Sequence, residues 1–180
     1  LLAGVDRNQE LSGAELSSSK LNLTTEASCI SDAEFIVVAV PTPVTQDNEP
    51  DLGMLYSASE LIGKRLLDRS EYLRPPVIVF ESTTYPGCTE EFCGPAIEDA
   101  SGLKAGTGFF LGYSPERTNF GDDTHTLQTV VKVVSGQTTE VAELVNDVYG
   151  KIAKAGTHMT VDIKTAEASK VIENIQRDLN

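Results

Sequence analysis

Four groups of side chains in this sequence have types and spacings suited to chemistry. Pro41-Thr42-Pro43, Glu81-Ser82-Thr83-Thr84 and Ser114-Pro115-Glu116-Arg117 each follow a strand-like apolar run, and Lys170 and Asn174 stand four residues apart in a helical stretch. Proline withholds N–H groups and stiffens a loop, while threonine and serine hydroxyls are neutral, rotatable partners for a ribose or a carboxamide. A carboxylate at Glu116 beside such a ligand could hold a water or act as a base. Residues four apart on a helix project side by side, so Lys170 and Asn174 could grip one oxygen between an ammonium and an amide. Each group has a plainer reading. Pro with Ser or Thr after a strand is commonly a turn, Glu116 could pair with Arg117 or a nearby lysine, and Glu173 with Arg177 reads as an i,i+4 surface pair.

The elements that must hold these groups are strands alternating with helices. Residues 35–40 form a continuous apolar run, as in a strand covered on both faces, and Pro41 stops it. Leu55, Ala58, Leu61, Ile62, Leu66 and Leu67 recur at helical spacing across residues 51–69. A second buried strand is predicted at 77–80, a helix at 89–99, a third strand at 109–113, a polar loop at 119–126, a strand at 130–134 and a helix at 138–153. A short strand is also predicted at 21–25. Such alternation implies an α/β fold with a mostly parallel sheet and right-handed crossovers. In open sheets of this kind ligands bind beyond the carboxyl ends of the strands, where the first three polar groups fall.

The last helix, from about residue 162 onward, is two-sided. At about 100° per residue Ala168, Val171, Ile172, Ile175 and Leu179 form one stripe, and Lys170, Asn174 and Arg177 lie nearly opposite, on a face expected to be clear of the core.

Composition narrows the function classes. The chain has 180 residues, 40% hydrophobic and 23% charged, which allows one domain with a real core. A net charge of −13 argues against nucleic-acid or anionic-membrane partners, which need a positive footprint. No apolar run approaches the roughly 18–20 residues of a membrane span, and no signal peptide is visible, so the expectation is a soluble, cytoplasmic protein. Cys29, Cys88 and Cys93 form an odd set without a CxxC pair and are expected to be buried or half-buried free thiols. His125 and His158 stand apart and read as surface or loop residues, so no metal site is expected.

Taken in order, these segments resemble the UDP-glucose/GDP-mannose dehydrogenase family. Residues 36–43 with Pro50-Asp51-Leu52 resemble its strand-VPTP-PDL segment, 79–87 its STxxPG segment, and 112–117 its GYSPER segment. Residues 133–136 resemble its KVVSG strand, and Glu167-Ala168-Ser169-Lys170 with Glu173-Asn174 and Arg177 the start of its long central helix. SPER in place of an SPEF-type motif favours the branch acting on UDP-N-acetylhexosamines, as in capsule, Vi-antigen and O-antigen precursor synthesis. In the SPEF-type motif a second glutamate follows four residues after the first; here that position is Phe120.

The resemblance implies a partial doubly wound, Rossmann-like sheet over residues 1–160, the later part of an NAD-binding domain, with residues 161–180 opening the central helix that pairs two subunits into a homodimer. Similar enzymes oxidise the C6 alcohol of a UDP-sugar twice with two NAD, through an aldehyde and a cysteine-linked thioester that water hydrolyses to the uronate. By resemblance, Pro41, Thr42, Ser82 and Thr83 line the NAD site, Thr83 also orders a catalytic water, and Glu116 assists thioester hydrolysis. Lys170 takes the alcohol proton or stabilises the oxyanion, and Asn174 orients the same oxygen. The family's GxGxxG turn and its nucleophilic cysteine match nothing in the sequence; they are expected before residue 1 and after residue 180, which makes the chain a fragment that should not turn over alone. The residues alone leave two alternatives open, a non-catalytic α/β module that dimerises through its last helix and a β-hydroxyacid-type NAD dehydrogenase.

Overall fold

The computed structural model describes residues 5–6, 12–47, 49–117 and 129–179. Its centre is a five-stranded sheet in the order β1 (Phe35–Val38), β2 (Val77–Phe80), β3 (Phe110–Tyr113), β4 (Lys132–Gly136) and β5 (Thr157–Met159). β1, β2 and β3 are parallel and in simple register, with Phe35 opposite Val77 and Val77 opposite Phe110. The expected strand after residue 130 is present, but it runs antiparallel to β3, pairing Gly112 with Gly136 and Tyr113 with Ser135. β5, which the sequence pattern did not reveal, lies parallel to β4.

Alternation along the strands sorts the core into two halves. Ile78, Phe80, Leu111 and Tyr113 face one side, where they pack with Leu55, Ile62 and Leu66 of α2 (Gly53–Leu66) and Ile97 of α3 (Gly94–Ser101). Val77, Val79 and Val134 face the other, against Val141, Val145 and Tyr149 of α4 (Thr139–Gly150). Burial of β2 along its whole length follows from this double cover. The predicted helix at 89–99 begins as a π-helical turn, Thr89–Cys93, which leads into α3. Thr138 caps α4, its hydroxyl accepting from the Val141 N–H at 3.3 Å.

Two expectations fail locally. Residues 21–25 form no strand and are mostly exposed. Cys29 is exposed, unlike Cys88 and Cys93, which are buried. The predicted polar loop at 119–126 and His125 lie outside the described residues, whereas His158 is exposed on β5.

The last helix, α5 (Ile163–Leu179), is present with its faces reversed from expectation. Ile163, Ala166, Glu167 and Lys170 are buried, and the apolar residues Ile172, Ile175 and Leu179 are exposed. The helix docks through Ile163 and Ala166 in the core together with polar groups that match polar loops at the sheet edge, so the apolar stripe at 168–179 points to the wrong face.

The junction between β4 and α4 is tight. A Cβ on Gly136 would lie 2.3 Å from the Ala142 nitrogen, whereas one on Gly150 would meet nothing within 4 Å. Gly136→Ala should therefore lower unfolding stability by about 1–3 kcal/mol in urea denaturation. Gly150→Ala, at the end of the same helix, should leave it unchanged or raise it by up to about 1 kcal/mol.

Candidate active site

The loops after β1, β2 and β3 meet at one edge because the three strands run in the same direction. Short bonds tie these loops together. The Thr42 hydroxyl donates to the Thr83 carbonyl at 2.8 Å, and the Ser82 hydroxyl donates to the Val40 carbonyl at 2.6 Å. From β3, the Tyr113 hydroxyl donates to the Ser82 carbonyl at 3.1 Å, and the Glu116 N–H donates to the Glu81 carbonyl at 3.4 Å. Thr42, Thr83 and Glu116 thus share one rim, on which Pro41 and Thr83 are exposed and Ser82 is buried. Neutral hydroxyls on proline-stiffened loops fit the ribose and carboxamide groups of a dinucleotide.

Glu116 is held at both carboxylate oxygens. Its Oε1 accepts from the Arg117 N–H at 2.7 Å, and its Oε2 lies 3.3 Å from the Lys132 Nζ. Of the two ion-pair readings weighed from sequence, the lysine therefore holds. The Arg117 guanidinium turns instead to α5, with Nε and Nη2 each near 3.0–3.2 Å from Glu173 carboxylate oxygens. Glu173 is thus a partner of the SPER loop, and its expected i,i+4 pair with Arg177 falls on a side chain outside the described ones. That pair sets α5 beside Glu116, and Lys170 and Asn174 belong to the same stretch of helix. Lys170 is 7% exposed and Asn174 half-buried, and both have interaction partners.

Sequence reasoning gave no role to the residue that fastens α5 to this rim. Glu167 is fully buried, and its carboxylate accepts from Thr84 Oγ1 (3.2 Å), the Thr89 N–H (2.9 Å), Thr89 Oγ1 (2.7 Å) and the Gly87 N–H. Gly87 supplies that N–H from φ 97°, a left-handed conformation that suits glycine. The loop carrying Thr83 is thereby fastened to the helix carrying Lys170. The available signal was position: Glu167 lies three residues before Lys170 and so shares its face.

Burial, then the Glu81 charge, pushes the Tyr149 phenol far above its ordinary range and keeps it a hydrogen-bond donor to Glu81. Cys93 is likewise raised, by its hydrogen bond with Cys88 and by burial, so it is held as an inert thiol. Among the described residues no cluster of His, Cys, Asp or Glu could hold a metal ion, and no helix is long and apolar enough to cross a membrane.

An α/β sheet with a polar ligand rim at the carboxyl ends of its parallel strands defines a Rossmann-like nucleotide-binding domain. Residues 7–153 match the model of the UDP-glucose/GDP-mannose dehydrogenase family, NAD binding domain, and the chain belongs to that family. It is 49% identical over 175 residues to Protein CapL of Staphylococcus aureus, covering 97% of this chain and 40% of that protein. It is 46% identical to the UDP-N-acetyl-D-glucosamine 6-dehydrogenase of Pseudomonas aeruginosa, over 100% of this chain and 42% of the relative. Among solved structures, the NDP-N-acetyl-D-galactosaminuronic acid dehydrogenase of Methanosarcina mazei Go1 superposes with a TM-score of 0.80 at 29% identity, covering 93% of this chain and 34% of that one. The chain thus spans about 40% of the length of the curated relatives it matches. The family match removes the β-hydroxyacid alternative.

The carboxylate clasp makes a direct prediction. Glu167→Ala strands four donors in the interior and should cost about 3–5 kcal/mol, whereas Glu167→Gln, which keeps one acceptor oxygen, should cost less. Thermal unfolding measures the cost, and amide exchange at Gly87 and Thr89 should accelerate in both variants.

Burial raises the Tyr113 pKa to about 12 from an ordinary 10. A phenol raised on folding contributes stability that is complete below pH 10 and is lost as the pH climbs toward 12. The wild-type protein should therefore lose about 2–3 kcal/mol more than Tyr113→Phe between those values, as denaturant titrations at each pH would register.

Proposed function

We propose that this chain is the NAD-binding part of a UDP-N-acetylhexosamine 6-dehydrogenase, which oxidises the C6 alcohol of its UDP-sugar to the uronic acid for surface-polysaccharide precursor synthesis. The observation that carries the reading is the gathering of Thr42, Thr83 and Glu116 at one sheet edge, with the Lys170 helix fastened beside them through Glu167 and the Arg117–Glu173 pair. The names of the relatives described above support the substrate class.

Two NAD molecules, bound in turn, would each supply a two-electron hydride acceptor for the four-electron oxidation. The chain's own residues do the remaining work. Pro41 and Thr42 with Ser82 and Thr83 line the dinucleotide: Thr83 offers its hydroxyl, Thr42 an acceptor oxygen whose proton is given to the Thr83 carbonyl, and Ser82, whose hydroxyl donates to Val40, shapes the loop. Thr83 orders a water at the rim. Lys170 takes the alcohol proton or stabilises the developing oxyanion, which requires a desolvated, positioned ammonium, and its burial suits that task. Asn174 orients the same oxygen. Glu116 accepts a proton from the water that opens the thioester.

Residues 161–180 also carry the contact between two copies of the protein. The exposed Ile172, Ile175 and Leu179 provide an apolar surface for it. The protein is cytoplasmic in this reading and binds neither nucleic acid nor membrane, in keeping with its net charge of −13.

The complete protein, given NAD and the UDP forms of N-acetylglucosamine, N-acetylgalactosamine and N-acetylmannosamine in turn, should release two NADH per uronate with at least one of them. No NADH from any of the three would overturn the reading. Lys170→Met, which keeps the side chain's bulk, should slow turnover on the order of 10²–10³-fold. An unchanged rate per folded molecule would remove Lys170 from the chemistry.

A further inference from the structure

Lys132, the lysine that pairs with Glu116, is buried, and the function proposed above gives it no task. It opens β4 and is 3% exposed. Its Nζ lies 3.3 Å from Glu116 Oε2, 3.4 Å from Glu81 Oε1 and 5.3 Å from the centre of the Tyr149 ring. The Tyr149 hydroxyl donates to the same Glu81 oxygen. Taking an ammonium out of water is costly, and one carboxylate with an aromatic face would already offset much of that cost. Here there are two carboxylates of different character. Glu81 is tucked under the sheet edge, while the Glu116 side chain remains 42% exposed.

Strand register explains how the lysine reaches the second carboxylate. In the β3–β4 ladder Gly112 pairs with Gly136 and Tyr113 with Ser135. Continued three residues along in each direction, the same register sets Lys132 opposite Glu116. Glu81 continues the face of Val77 and Val79, which looks toward α4, and so it meets both Tyr149 and Lys132. The ammonium is therefore fixed from two elements, β2 through Glu81 and α4 through Tyr149, before it touches Glu116. With Oε2 held by Lys132 and Oε1 by the Arg117 N–H, the carboxylate plane is set in a side chain that remains 42% exposed.

We propose that Lys132, anchored by Glu81 and Tyr149, is the positioning residue for Glu116 in thioester hydrolysis. This rests on the reading of Glu116 given above. In that step the oxygen of water bonds to the thioester carbonyl carbon, one water proton passes to Glu116, and the carbon–sulfur bond breaks with its electron pair leaving on the thiolate. Nothing is oxidised or reduced in it. Both hydride transfers come earlier, so a fault in positioning Glu116 spares them and slows only the release of uronate.

The test is pre-steady-state NADH formation by the complete enzyme with its UDP-sugar and NAD, followed by acid quench and mass measurement of the protein. Lys132→Met should keep a burst approaching two NADH per site, slow the steady state on the order of 10²-fold, and accumulate sugar-acylated protein. Lys132→Arg should restore most of the steady-state rate. Tyr149→Phe, which leaves Lys132 in place but slackens Glu81, should give a milder form of the same accumulation, and it decides the matter if Lys132→Met does not fold. A purely structural lysine would instead lower burst and steady state in proportion with no acylated protein, and that result, or normal behaviour of the variants, would overturn the proposal. Glu116→Gln separates the two readings. If it accumulates acylated protein and the Lys132 and Tyr149 variants do not, only the positioning role falls. If it hydrolyses normally, the role of Glu116 falls and the role of Lys132 falls with it.

Discussion

The arrangement at the sheet edge depends on one buried carboxylate. Glu167 can occupy the interior only because the loop from Thr84 to Thr89 supplies hydrogen-bond donors from two hydroxyls and two backbone N–H groups. Those donors point inward because the chain turns through Gly87 at positive φ and then enters a helical turn at Thr89. A one-turn slip of α5, about 5.4 Å, would leave the carboxylate unsatisfied, so the helix has one axial setting. Lys170 and Glu173, one and two turns further along, inherit that setting. Glu173 then meets Arg117 of the loop after β3, and the second bond makes the pose two-point rather than hinged.

A second constraint comes from strand direction. A fully parallel sheet would send the first residue of β4 to the edge opposite the site. Because β4 runs antiparallel to β3, its first residue arrives at the carboxyl ends of β1 to β3 and brings an ammonium there. The reversal at β4 is therefore more than a topological detail, since it gives Glu116 a cationic neighbour that none of the three parallel strands supplies. Strand parity gives Glu81 to the α4 side and leaves Ser82 facing the α2 and α3 side, where it ties the β1 loop to the β2 loop.

The sequence made the parallel half of the sheet legible because β1, β2 and β3 are nearly continuous apolar runs, each closed by proline or hydroxyl residues. Helices α2, α3 and α4 were legible through their helical period. The reversal at β4 was not, because period-two alternation is the same in either direction. β5 was missed because Thr157, His158 and Met159 are short and half polar. The rim residues Thr42, Thr83 and Glu116 were found from their place after strands. Glu167, Lys132 and Tyr149 were not, because their meaning lies in partners from 16 to 83 positions away in the sequence.

The orientation of α5 shows where amphipathic reasoning stops. The helix has an apolar and a polar stripe, and the usual inference sends the apolar stripe inward. Here the polar stripe goes inward because its groups are matched one by one: Glu167 by the 84–89 loop and Glu173 by Arg117. Such matching fixes geometry but adds little net stability, since each buried charge first gives up its hydration. Covering Ile172, Ile175 and Leu179 would contribute roughly 1.5–3 kcal/mol per residue if burial were complete. The polar matches therefore set where the helix sits, with Ile163 and Ala166 packed in the core beside them, while the exposed apolar stripe keeps its burial energy unspent within the domain. Under the proposed function such a helix would tie the geometry around Lys170 to the pairing of two copies, because Lys170 and the exposed stripe are carried by the same rigid turns.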